Sequence, residues 1–366
     1  MANHLLTRLA DPLGESTEWP RSLALALVLL LSACADPEPA TTPPRLDVTK
    51  AHASLTALHA LSLAQGRGLL SSVEILQGSI EDFLQLPDGE RQETAQTAWR
   101  SAHEAFVSFT GLPLMNLPEP AHYQLDAWPI EPGYLDTLAA YPDSGLISDL
   151  TVDISLESLR DQHGFTDVTE VSLGFHALEL LIFAREPKDF VTQTTITPVD
   201  DLAASDEIVT RRRRVLSLLA EQILVDLSPW LTTSAPEPLP ASVDLKNQQL
   251  LELLTRSRQR AMFAQSQVDK LLIAGTPLPS QGHGSRADLS RRVTSLQQIF
   301  FSPVELGALF LPMAGSAVNA LQRTLEETQG LCDLTDIDDN QKAQLGLLLQ
   351  MLPDQIEALS QVLAED

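Results

Sequence analysis

Residues Val171–Ala184 read VSLGFHALELLIFA, with Ser172, His176 and Glu179 as the only polar side chains. At 100° per residue, Val171, Phe175, Leu178 and Ile182 form one apolar stripe, and Leu173, Leu180, Leu181 and Phe183 cover most of the remaining surface. A helix that is apolar nearly all round is buried. Asp167 and Glu170 have the spacing of a capping box that would start it, and Pro187 would stop it. His176 and Glu179 stand at i, i+3 on one face, where an unpaired carboxylate would cost several kcal/mol, on the order of any lone buried ion. Something must therefore sit opposite them. Gly174 points the same way, because a glycine inside a helix costs roughly 1 kcal/mol against alanine and is kept mostly where another backbone or a ligand comes close. Two readings fit the pair. It is either a core His and Glu satisfied by a neighbouring Arg or backbone group, or part of a metal site whose other ligands come from facing helices.

Gly174-Phe175-His176-Ala177-Leu178-Glu179 resembles the GxHxxE signature of the imelysin family, bacterial envelope proteins often linked to iron uptake and once classed as metallopeptidases. Other stretches agree in order. Ala98-Trp99 with His103-Glu104-Ala105-Phe106 is similar to the family's tryptophan-bearing helix, Asp126-Ala127-Trp128-Pro129 to its aspartate-x-Trp-Pro segment, and Arg211–Arg214 to an arginine pair opening a later helix. The resemblance runs from about Leu46 to the C-terminus and is strongest up to Trp230. It departs at His103, where many members carry Arg, and near Thr110, where an acidic residue is usual. What it implies is two helical bundles with the signature facing their junction, and iron or another divalent cation as ligand. Besides His176 and Glu179, the metal ligands expected are Glu104, on the tryptophan helix, and Asp126, whose loop could reach over the bundle end.

The N-terminus carries its own signal. Leu23–Leu31 is an apolar run of nine residues after Arg21, too short for the roughly 20 residues that span a bilayer, and it leads into Leu31-Ser32-Ala33-Cys34. This is the pattern of a lipoprotein signal peptide over residues 1–33, cleaved to leave Cys34 acylated. Ala35 after the cysteine resembles sorting to the outer membrane. Residues 34–45, with Pro37, Pro39, Pro43 and Pro44, read as an extended tether. With Cys34 taken by lipid, Cys332 has no partner for an intramolecular disulfide.

The formal charge of −25, with basic residues few outside Arg211–Arg214, excludes a nucleic-acid binder and favours solubility and attraction to cations. The arginine run reads as a solvated face or a salt-bridged junction, with Glu207 placed to pair with Arg211 at i, i+4. Helical periodicity runs through nearly the whole chain. Asp47–Leu86 is broken by Gly66 and Gly68 and is followed by Glu90–Phe109. A proline-rich crossover, Gly111–Tyr141, holds a short helix at Gly133–Ala140, and Ile154–Arg160 is a further short helix. Beyond the boundary at Pro187–Ser205 come Asp206–Trp230, Asp244–Ala274, Arg286–Phe301, Val304–Leu331 across Pro312, and Asn340–Leu363 with a kink at Pro353. No strand alternation of useful length occurs. The expected fold is all-α, two helical bundles packed together, the first over 46–200 and the second over 206–366.

Several chemistries are excluded by motif. His103-Glu104 is followed by Val107 where a zincin needs its second histidine, and no GxSxG, Walker A or dinucleotide glycine pattern is present. Asp333–Asp339 lacks the glycine and final glutamate of an EF-hand. His52 and His59 share one helical face as surface histidines, and Gly284-Ser285-Arg286-Ala287-Asp288 loosely resembles a polar turn in the family's second half. The expectation is an envelope lipoprotein that touches the membrane only through Cys34 and binds metal around His176 and Glu179. The alternatives are a metallopeptidase, or a non-catalytic scaffold that binds an envelope protein partner in the groove between the bundles.

Overall fold

In a computed structural model, which describes residues 45–113, 124–192, 200–233, 243–268, 285–334 and 336–364, two hydrophobic cores share one long helix. That helix, α1 (Val48–Gln85), is started by Asp47, whose carboxylate accepts from the amides of Thr49 and Lys50 at 3.0 and 3.1 Å. This is an N-cap satisfying donors that have no carbonyl partner in the first turn. Pro87 follows its end, and Asp88 caps α2 (Gly89–Thr110) through the Arg91 amide at 2.8 Å. The remaining helices are α3 (Leu156–Gln162), α4 (Gly174–Ala184), α5 (Asp200–Thr233), α6 (Val243–Val268), α7 (Ser285–Phe300), α8 (Leu311–Cys332) and α9 (Asp339–Ala364). Among the described residues there is no strand, only an isolated bridge between Leu138 and Tyr141. The all-α expectation stands. Cys34 and most of the proline-rich tether lie outside the described residues.

The first core gathers Leu69, Val73, Leu76, Ile80 and Phe83 of α1 with Trp99 and Phe106 of α2, Phe175, Leu178 and Ile182 of α4, and Leu216, Leu219, Ile223 and Leu227 of α5. The second gathers the buried faces of α6 to α9 around Leu254, Val293, Phe300, Leu325 and Leu352, and takes Ala51 and Leu58 from the start of α1. The helix over Asp200–Thr233 thus packs on the first core although it follows the Pro187–Ser205 stretch. α1 runs on without a break. Gly66 does not interrupt it; a Cβ there would stand 3.2 Å from Leu231 and 3.3 Å from Phe109, so the glycine lets neighbouring side chains come close. Pro312 likewise does not lie inside a helix but in the first turn of α8, where its missing N–H costs nothing. Residues 133–140 form turns rather than the short helix expected.

That irregular segment is held by arginines. Arg211 donates to the carbonyls of Ile147, Leu146, Asp149 and Val152 at 2.7–3.0 Å, rather than pairing with Glu207. Arg212 makes a two-pronged bond to the buried Asp136 carboxylate at 2.7 and 3.0 Å, and Arg185 reaches the same group at 2.9 Å. Arg213 binds the Phe190 and Leu84 carbonyls. Arg211 and Arg212 are buried, so the solvated-face reading does not hold for them; the salt-bridged junction is met by Arg212 on Asp136, and of the four only Arg214 is exposed. Carbonyls without a helical partner attract such donors, because a buried unpaired backbone oxygen is costly.

Asp136→Asn leaves two guanidiniums sharing a neutral amide, and removing one member of a buried ionic group costs about 3–5 kcal/mol. Urea denaturation should show a midpoint lowered accordingly; an unchanged midpoint would mean that this triad does not hold the segment.

Candidate metal centre

The apolar helix starts later than the capping box implies. Asp167 accepts from the Thr169 amide at 2.9 Å and Glu170 accepts from the Thr166 amide at 2.6 Å, so the two carboxylates close a turn ahead of the helix. Val171–Leu173 then run outside the helix, and α4 begins at Gly174 with φ of +83°. No side chain caps it from Leu173; the Gly174 amide donates to Gln222 Oε1 at 3.0 Å. A Cβ on Gly174 would lie 2.5 Å from the Leu125 carbonyl and 2.6 Å from that of Gln124. Two requirements meet here, a left-handed backbone and the close approach of another strand of chain, and only glycine meets both. The approaching segment ends in Asp126.

Asp126 is thereby set against two histidines. Its Oδ1 lies 2.8 Å from His103 Nε2 on α2 and 3.3 Å from His176 Nε2 on α4. The other ring nitrogens face carboxylates: His176 Nδ1 is 2.8 Å from Glu179 Oε2, and His103 Nδ1 is 3.6 Å from Asp288 Oδ1 on α7. Arg292, one turn further along α7, places a terminal nitrogen 3.6 Å from Asp126 Oδ2. Aromatic rings wall the group. Trp99 stacks on His103 with centroids 4.9 Å apart and donates its indole N–H to the Phe175 carbonyl at 2.8 Å, while Trp128 stands 5.1 Å from His176.

Burial by itself would lower the His176 pKa, but the hydrogen bonds its ring donates to Asp126 and Glu179 outweigh it and push the imidazole up to about 10. Burial would raise Asp126, and its bonds to His103 and His176 outweigh that, holding it well below the ordinary carboxylate range. Asp288 is pushed up, chiefly by burial. The group is thus an anionic Asp126 between two imidazoles, with further carboxylates behind each ring.

Of the residues named from sequence, Asp126, His176, Glu179 and Gly174 come together. Glu104 does not join them; its carboxylate pairs with Arg291 at 2.9 Å. His103, met in the sequence only as a departure from the family pattern, takes its place, and its position four residues after Trp99 puts it on the same helical face. Asp288 and Arg292 were also missed, although Asp288 sits in the Gly284–Asp288 stretch that loosely resembled a family turn. Thr110, the other departure, is buried and donates to the Phe106 carbonyl at 2.9 Å.

His103, Asp126 and His176 each offer a ligand atom within 4.8 Å of the others. Two imidazoles and a carboxylate suit a borderline divalent ion, and carboxylates on the remote ring nitrogens are the usual support of metal-bound histidines. Among the described residues, His103 Nδ1 and Asp288 Oδ1 are buried without a hydrogen-bond partner, as is Trp128 Nε1. The donor set fits a cation, and the protein does not satisfy all its own polar atoms here.

Comparison with known proteins follows the same line. Residues 63–302 match the family model described as Imelysin. A solved structure from Parabacteroides distasonis, of a protein named as an iron-regulated protein A precursor, superposes with a TM-score of 0.62 at 12% identity, covering 88% of this chain and 97% of that one. An imelysin-like protein from Psychrobacter arcticum superposes with a TM-score of 0.51 at 17% identity, covering 86% and 96%. Likeness at these identities shows the fold. A search of curated proteins finds no match.

The raised His176 pKa has a signed consequence. A group whose pKa climbs from 6.5 unfolded to about 10 folded stabilises the metal-free protein fully below pH 6.5, and that contribution is lost as pH rises through 10. The melting temperature of the metal-free protein should fall across this window relative to His176→Gln; parallel curves would show that His176 is not held protonated.

Proposed function

This chain belongs to the imelysin family, and from that premise we propose that it is an envelope lipoprotein, anchored through Cys34, that binds iron at His103, Asp126 and His176 as part of iron uptake. The observation that carries the reading is the convergence of those three side chains from α2, the 124–126 segment and α4. In this reading His103, His176 and Asp126 are the ligands, Glu179 orients the His176 ring through Nδ1, and Asp288 faces Nδ1 of His103. The bound ion would act as a Lewis acid. Binding must displace the proton that His176 carries, since only the neutral ring coordinates. The name of the Parabacteroides relative, which speaks of iron regulation, favours iron over other divalent ions. Among the described residues no helix is long and apolar enough to cross a membrane; in this reading membrane attachment is through lipid at Cys34. A peptidase would want a carboxylate base on the open side of the ion, whereas Glu179 and Asp288 are turned to the far side of the histidines.

Lipid-free Cys34→Ser protein, equilibrated anaerobically with ferrous iron, should hold one ion per chain by elemental analysis. At a hundredfold excess over Kd the ion should add about 2.7 kcal/mol of stability by mass action. His176→Ala and Asp126→Asn should lose both effects, and Glu179→Gln should weaken affinity about 10–100-fold. Absence of stoichiometric metal in the wild type would overturn the reading. The anchor is tested separately: the natural chain should incorporate labelled palmitate and Cys34→Ser should not, and equal labelling would remove the lipoprotein assignment.

A further inference from the structure

Arg292 is a nearly buried cation at the edge of the site. Its side chain is 7% exposed, yet among the described residues its guanidinium makes no hydrogen bond, and its ion pair to Asp126 is 3.6 Å long. A guanidinium carries five N–H donors in a plane, and here they are free to meet a ligand. The face of that plane is already used. Phe263 lies beneath it at 4.6 Å, which fixes its orientation and leaves the N–H edge to act. Arg256, Arg260 and Phe263 follow at spacings of four and three on α6 and so share the helical face turned toward Arg292. Burial, then the charges of Arg292 and Arg256, bring Arg260 down to about 10. Arg256 is already paired with Glu252, so the repulsion that an anion would relieve is that between Arg260 and Arg292. Trp128 Nε1, a donor without a partner among the described residues, belongs to the His176 side of the cluster, its ring 5.1 Å from His176.

We propose that Arg292 anchors an oxyanion subsite beside the His103–Asp126–His176 cluster, taking a small planar anion with two oxygens, a carboxylate or bicarbonate, with Arg260 in support. A planar fork of N–H groups matches such an anion with two parallel bonds, which a lysine cannot do. The inference rests on the metal reading in one respect. Three protein ligands leave coordination positions open, and an anion held by Arg292 can turn an oxygen toward them, so ion and anion bind together more tightly than either alone. The subsite would then recognise either free bicarbonate or the carboxylate of an organic molecule that accompanies the metal.

The test uses lipid-free Cys34→Ser protein in degassed, carboxylate-free buffer, with ferrous iron titrated alone, with bicarbonate, and with acetate. At least one anion should tighten apparent iron affinity tenfold or more, and which one does so identifies the source. Arg292→Gln should remove the tightening and Arg292→Lys should keep only part of it, while circular dichroism confirms that both remain helical. No tightening by either anion, or full tightening in a folded Arg292→Gln, overturns the subsite. The metal-free melting temperature separates this from failure of the metal reading. If the wild type binds no iron at all, an anion-dependent rise in melting temperature that Arg292→Gln loses upholds the subsite, and no rise overturns it.

Discussion

A carboxylate buried in an apolar junction is the constraint around which this molecule is arranged. Left alone, Asp126 would cost several kcal/mol, of the order of any buried ion. It is compensated by His103 from α2, His176 from α4 and Arg292 from α7. Because α2 and α4 pack in the first core and α7 in the second, the polar cluster lies where the two cores join. Around it the join is completed by Ser295 donating to the Ser108 carbonyl at 3.1 Å, Gln65 to Gln298 at 3.1 Å and Arg291 to Glu104 at 2.9 Å. Gly174 is what makes the arrangement possible, since any side chain there would push the Asp126 segment off the start of α4.

How much of this was legible in the sequence depends on whether the signal was local. The burial of α4 follows from an apolar run too continuous for a surface helix, and His176 with Glu179 declares that a partner stands opposite. Helix ends set by Asp47 and Asp88 are equally local. The capping box failed because Asp167 and Glu170 find nearer amides in a turn, and the positive φ at Gly174 resets the helix start, a backbone state that apolar periodicity does not register. Gly174 was nonetheless a correct sign that another backbone comes close. Gly66 was misread for the converse reason: its low helix propensity is overridden by packing at the middle of a 38-residue helix.

The site was half legible. Asp126 could be nominated from the loop that carries it, but choosing His103 over Glu104 required knowing the rotation of α2, and that is set by Trp99, whose indole is tied to the Phe175 carbonyl. Asp288 and Arg292 come from a helix nearly two hundred residues along the chain from α2, and nothing in their own surroundings announces where they point. The arginine run shows the same limit. Its charge suggested a surface or an ionic junction, and only tertiary structure reveals that Arg211 and Arg212 spend their donors on loop carbonyls and on Asp136.

A purely structural ion-pair network and a metal centre would both bury Asp126 between histidines, but they differ in what occupies the space between the ring nitrogens. The most direct measurement is anomalous X-ray diffraction at the iron edge from crystals grown anaerobically with ferrous iron. The account expects a single peak within bonding distance of His103 Nε2, His176 Nε2 and an Asp126 oxygen, with Glu179 retained on His176 Nδ1. Crystals that show no peak there, with both histidines still bonded to Asp126, would contradict it.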